Sequence, residues 1–178
     1  DTATPQDVQA FLARYAGSYQ EDRLRNDWLL LLGQRRDWDN FLVEYPRYRM
    51  NDDRELRCYA LGVQFIREGA AAPAGLADEV RRNWLAQRDA DDGCTFAASR
   101  LIGERTGRNR MTEADAWRKA RQSIEANRPR AVAAAVEIVH PESLPLLAEV
   151  QASPVKFLRS KVVAASRVRR ELIGLALI

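Results

Sequence analysis

The stretch Arg23-Leu24-Arg25-Asn26-Asp27-Trp28-Leu29-Leu30-Leu31-Leu32 decides the fold class. Leu24, Trp28, Leu31 and Leu32 recur at i, i+4, i+7 and i+8, the spacing that lines one stripe of an α-helix. A half-buried strand would alternate with a period of two, and this stretch does not. The helical spacing recurs outward along the chain. Trp38, Phe41, Leu42 and Tyr45 carry it next, then Leu56, Tyr59, Ala60, Val63 and Ile66. Leu76, Val80 and Trp84 follow, then Ala97, Leu101 and Ile102, then Trp117, Ala120 and Ile124, then Val132, Val136 and Val139. No alternating run bounded by turn signals interrupts them, so the chain reads as all-α.

The breaks are as regular as the stripes. Thr4-Pro5 is a cap followed by Pro at the first helical position. Asn51-Asp52-Asp53 caps the helix that carries Cys58. Gly69 to Gly75, with Pro73 inside, is a loop, and Asp91-Asp92-Gly93 is a turn signal. Thr112 with Glu113 and Asp115 starts a helix with acids where its dipole favours them. Asn127-Arg128-Pro129, His140-Pro141 and Ser153-Pro154 force boundaries, because Pro disfavours helical backbone in the residue before it. Helices are therefore predicted to start near residues 5, 20, 37, 53, 74, 94, 112, 129, 142 and 161.

Taken in pairs, these helices repeat with a step of roughly 30–38 residues, close to the ~34–45 of helical-repeat arrays. A two-helix hairpin cannot bury its apolar face alone, and stacking hairpins solves that. The expectation is one α-superhelix, a solenoid of stacked hairpins over residues 1–178, with an ordinary globular bundle as the competing architecture. The last residues, Leu172 to Ile178, form an apolar stretch without a polar tail. This suggests a fragment of a longer protein.

Composition narrows the function classes. The chain has 178 residues, 46% hydrophobic and 30% charged, with a net charge of +3. That is enough apolar material for a core and too little Gly and Pro for a low-complexity chain. No stretch reaches the roughly 18–20 apolar residues of a membrane-spanning helix. Arginine supplies 25 of the 28 basic residues. Residues 154–178 are basic, but Val162, Val163, Val168, Leu172, Ile173 and Leu175 are interspersed there. That pattern reads first as the solvated face of a helix. Acids interleave with arginines elsewhere too, and Phe41, Tyr45 and Tyr48 read as a hydrophobic stripe before a base-stacking platform. No nucleic-acid partner is expected.

No residue is assigned a catalytic, cofactor-binding or metal-binding role. His140, before Pro141 at a turn, is the sole imidazole and reads as a surface or capping residue before a general base. Two thiols alone cannot make a structural zinc site, and His140 is distant from them in sequence. There is no phosphate-binding Gly-rich loop. Cys58 and Cys94 lie 36 positions apart in neighbouring hairpins. Spacing alone leaves them as two separate buried thiols or as one disulfide.

The block from Arg23 to Leu32, followed by Arg36-Asp37-Trp38, resembles the N-terminal superhelical domain of soluble lytic murein transglycosylases. The resemblance extends upstream to Val8-Gln9-Ala10-Phe11-Leu12. Downstream it takes in Arg57-Cys58-Tyr59-Ala60, Trp84-Leu85, Gly93-Cys94, Ala152-Ser153-Pro154, Phe157-Leu158 and Arg169-Arg170-Glu171-Leu172. It implies a right-handed superhelix, a Cys58–Cys94 disulfide and a periplasmic location. It also implies a parent enzyme that cleaves the β-1,4 bond between N-acetylmuramic acid and N-acetylglucosamine, leaving 1,6-anhydro ends. The partners it implies are peptidoglycan glycan strands and a C-terminal catalytic domain of the same chain.

The chain departs from that family in lacking its Gly-Leu-Met-Gln and Ala-Tyr-Asn-Ala-Gly motifs. Its one Glu-Ser, Glu142-Ser143, leads into Leu144-Pro145-Leu146-Leu147. Glu142 is read as a helix-start acid, and this segment alone is expected to be inactive. The alternative expectation is a stand-alone helical-repeat adaptor for a protein partner, with an exposed apolar groove and no disulfide.

Overall fold

The computed structural model describes residues 4–103, 110–161 and 166–178. Eleven α-helices and no strand occur among them. They are α1 (Pro5–Arg14), α2 (Tyr19–Gln34), α3 (Trp38–Glu44), α4 (Arg54–Glu68), α5 (Leu76–Ala86) and α6 (Asp92–Gly103). Then come α7 (Glu113–Glu125), α8 (Pro129–Val139), α9 (Leu144–Ala152), α10 (Pro154–Lys161) and α11 (Arg167–Ala176).

The helix starts follow from local chemistry. Thr4 and Asp7 form a reciprocal capping box before Pro5, and Thr112 with Asp115 does the same for α7. Asp53 accepts the N–H of Leu56 and Ser18 that of Glu21. Pro129 occupies the first turn of α8, where its missing N–H costs nothing. At the other end of α7, Asn127 takes the left-handed conformation (φ 55°) and Arg128 N–H reaches back to the Ser123 carbonyl, a Schellman-type stop.

One helix start needs correction. The last helix was expected near residue 161, but α10 begins at Pro154 and α11 at Arg167. Ser153-Pro154 is not only a break. Pro154 also opens the next helix, with the Ser153 carbonyl accepting from Phe157 N–H. Val162 and Val163 lie outside the described residues.

The packing is sequential. α1 lies on α2, α2 on α3 and α4, α4 on α5 and most extensively on α6, and α7 on α8. α8 continues to α9, and α11 returns to α9, α10 and α7. Two apolar cores result. Leu29, Leu32, Phe41, Tyr48, Leu56, Tyr59, Val63 and Phe96 form the smaller one. The larger runs from Cys58, Val80 and Trp84 through Leu101, Trp117, Val132 and Val136 to Leu147, Phe157 and Leu172.

The face that α2 buries differs from the expected stripe. Leu24, Trp28 and Leu31 are only partly covered, while Asp22, Arg25, Asn26, Leu29, Leu32 and Gly33 face inward. The helix is rotated because its polar residues find internal partners. Asp22 accepts the N–H groups of Arg49 and Met50 at 2.9 and 2.7 Å, tying the segment after α3 down onto α2. Asn26 donates to Asp53 at 3.0 Å. Ile66, expected in the stripe of α4, is exposed.

Candidate functional site

Two polar assemblies interrupt the apolar packing. The first floors a cleft of about 570 Å³ between α1, α2 and α3. Glu21 and Arg25, one turn apart on α2, meet Glu44 at the end of α3. Arg25 Nη2 donates to Glu21 Oε1, and Nη1 to Glu44 Oε2 at 2.5 Å. All three side chains are buried. Their outer oxygens are also occupied. Glu44 Oε1 accepts from Arg47 at 3.1 Å, and Glu21 Oε2 accepts from Gly17 N–H at 2.7 Å and from Arg49 at 3.2 Å.

Enclosing such a triad costs desolvation, which hydrogen bonds to the charged groups offset. All four carboxylate oxygens and both terminal nitrogens of Arg25 are bonded, while its buried Nε has no partner among the described residues. The Gly17 N–H, and then Arg25, hold the Glu21 carboxyl below the usual range. A general acid needs the opposite, a carboxyl that retains its proton near neutrality. The triad braces the α1–α2 turn against α3, and its Glu21 is not such an acid.

The second assembly surrounds the joint between α4 and α6. Cys58, in the second turn of α4, and Cys94, in the first turn of α6, form a disulfide with their Cα atoms 4.7 Å apart. Both are fully buried. Two carboxylates receive the free N–H groups at the start of α6. Glu55 Oε1 accepts from Asp92 and Gly93 at 3.1 and 3.2 Å, and Asp91 Oδ1 from Cys94 at 2.6 Å. Burial pushes the Glu55 carboxyl up, against the pull of those N–H groups. It pushes Asp91 up to about 6. From α7 the buried Lys119 ammonium donates to the carbonyls of Trp84, at 2.7 Å, and Gln87, closing the end of α5. Burial lowers its pKa.

Arg36 completes this assembly from the other side. It ends α2 in the left-handed conformation (φ 59°), with Asp37 N–H bonded to the Leu32 carbonyl. Glycine is the usual residue at such a position. Here a guanidinium is gained instead. It pairs with both oxygens of Asp92 and lies over the rings of Trp38, Tyr59 and Phe96, with centroids 5.8, 5.7 and 4.7 Å away. Tyr59 also donates its hydroxyl to Asp92. Burial alone would raise the Asp92 carboxyl, but Arg36 and Tyr59 outweigh it and hold it low.

His140 stacks on Trp117 and meets Glu142 Oε1 at 3.0 Å through Nδ1. Glu142 sits in a single 3₁₀ turn, exposed, and its carboxyl is held below the usual range by backbone N–H contact and His140. Phe41 and Tyr48 are buried in the smaller core. Among the described residues no three His, Cys, Asp or Glu side chains gather to hold a metal ion. No described helix is long and apolar enough to cross a membrane.

The sequence singled out the two cysteines, and Glu142 only as a helix-start acid, but not the Glu21–Arg25–Glu44 triad or the Arg36 cage. Only the i, i+4 spacing of Glu21 and Arg25 is a local signal, since Glu44 and Asp92 join through tertiary packing. No family model, curated protein or solved structure matches the chain.

Proposed function

We propose that the chain is a non-catalytic scaffold segment of a periplasmic peptidoglycan lytic transglycosylase. Its hairpins stack as a right-handed superhelix, and a catalytic domain beyond residue 178 cleaves the N-acetylmuramic acid–N-acetylglucosamine bond. The Cys58–Cys94 bridge carries this reading. It joins neighbouring hairpins at the positions that the family resemblance implies. A buried structural disulfide also suits an oxidising compartment such as the periplasm. The largely sequential packing from α1 to α9 supports a stacked-hairpin scaffold, with α11 the exception in reaching back to α7. The adaptor alternative expects free thiols, and the bridge counts against it.

The scaffold supplies rigid surface and no chemistry. The buried Glu21–Arg25–Glu44 triad serves that rigidity by fixing the end of α3, and the turn before α2, on α2. Digestion of purified peptidoglycan sacculi tests the reading. The chain alone is expected to release no 1,6-anhydro muropeptides, and the gene product extended to its natural C-terminus is expected to release them. An extended product without a lysozyme-like domain, or one that leaves sacculi intact, overturns it.

A further inference from the structure

A cleft of about 360 Å³ opens between α6 and α8, beside the Arg36–Asp92 pair. Thr95, Phe96 and Arg100 line its α6 wall, and Ala134, Glu137 and Ile138 its α8 wall. The Arg36–Asp92 pair closes one end. Arg100 is exposed, and its guanidinium stands over the Phe96 ring, 5.5 Å from the centroid. Arg36 lies over the same ring but is occupied by Asp92 and the Gly33 carbonyl. Arg100 has no hydrogen-bond acceptor or carboxylate partner among the described residues. Glu137 faces the same cleft, is exposed, and has no cation partner among them either. Their charged atoms are therefore more than the 4.0 Å of an ion pair apart.

Two opposite charges on facing walls, both without an ion-pair partner among the described residues, favour a ligand with both signs. A simple anion would meet Glu137, and a simple cation would meet Arg36 and Arg100. Stacking on Phe96 limits the freedom of the Arg100 side chain, so less entropy is lost when its planar fork takes a carboxylate. A dipeptide reaches up to ~7 Å between its ends, longer than an ion-pair contact. Ala134 and Ile138, one turn apart on α8, offer a small apolar surface between the charges.

We propose that this cleft binds a short zwitterionic peptide. The carboxylate sits on Arg100, the ammonium on Glu137, and a small aliphatic side chain on Ala134 and Ile138. The proposal goes beyond the scaffold reading and does not depend on it, because any zwitterionic peptide qualifies.

Backbone-amide NMR titration of the whole chain with alanyl-alanine tests it. Saturable shifts are expected in Thr95 to Arg100 and in Ala134 to Ile138. Arg100→Gln and Glu137→Gln should each weaken binding by about tenfold, the effect of losing one charge-assisted contact. N-acetyl-alanyl-alanine should bind the native chain as weakly as the dipeptide binds Glu137→Gln. Both side chains are exposed, so both variants should keep the native melting temperature. Absence of saturable shifts, shifts confined to other helices, or native affinity in either variant overturns the proposal. So does acetate binding as tightly as the dipeptide. None of these outcomes bears on sacculus digestion.

Discussion

Arg36 and Asp92 stand 56 residues apart in sequence and meet through two parallel hydrogen bonds, one from each terminal nitrogen of the guanidinium. The pair fastens the turn after α2 to the first residue of α6. Tyr59 adds a third contact to the same carboxylate from α4. Two helices and the turn after α2 thus converge on one side chain.

That pair should couple measurably despite its exposure. The side chains retain 39% and 44% of their accessible surface, so solvent screens much of the attraction. A double-mutant cycle with Arg36→Gln and Asp92→Asn, followed by urea unfolding, should give a coupling of about 1 kcal/mol. A coupling near zero would mean that the rings and backbone hold Arg36 unaided.

Asp91 should give stability an unusual pH profile. Its carboxyl is raised from 3.8 to about 6, so the folded chain keeps a proton there that the unfolded chain has lost. Its contribution to stability therefore falls as pH rises from about 4 to about 6 and is lowest above that window. Asp92 acts in the opposite sense, because its stabilisation is complete above 3.8 and fades only as pH falls through its lowered value. Asp91→Asn keeps a capping oxygen, should flatten the profile between about 4 and 6, and should be more stable than the native chain above it. Unfolding midpoints across this range check the prediction, and matching profiles for the two proteins would refute it.

Gly93 should tolerate no side chain. A Cβ there would run into the Glu55 backbone carbonyl, which cannot swing aside as a flexible side chain can. Gly93→Ala must push α6 away from α4 beside the disulfide, at a cost of about 1–3 kcal/mol. Gly103→Ala is the control, since its Cβ would meet nothing within 4 Å. Calorimetry should separate the two, and equal melting temperatures would contradict the close approach.

Joint replacement of Cys58 and Cys94 by Ala should lower stability by about 3–4 kcal/mol, the chain-entropy value for a loop of this length. Urea unfolding of the double variant reads it. Intact-mass measurement of the native chain should fall about 2 Da below the dithiol value, one S–S bond's worth of hydrogen.

Much of the secondary structure was legible because short-range rules govern it. Thr4-Pro5, Asp53, Thr112 and Pro129 each mark a helix start through contacts within four residues. The face of α2 was not legible, because hydrophobic spacing cannot show that Asp22, Arg25 and Asn26 will find partners far along the chain. Asp22 reaches Arg49 and Met50, and Arg25 reaches Glu44. Four leucines in a row gave the helix two possible apolar sides, and the distant hydrogen bonds chose between them. Arg36 escaped notice for a similar reason. A left-handed stop is read from Gly or Asn, and here an arginine occupies it with Asp92 as its partner. Cys58 and Cys94 were visible as residues, and their pairing rested on the family resemblance.

The two sulfurs of the Cys58–Cys94 bond are sealed from water. Exchange requires a thiolate to approach a sulfur directly, and the finished molecule leaves no path for one. Oxidation therefore belongs to the maturation of the polypeptide: α4 and α6 must meet while the surrounding helices are still loose enough to admit an electron acceptor. Once closed, the interior preserves that event against later changes in its surroundings.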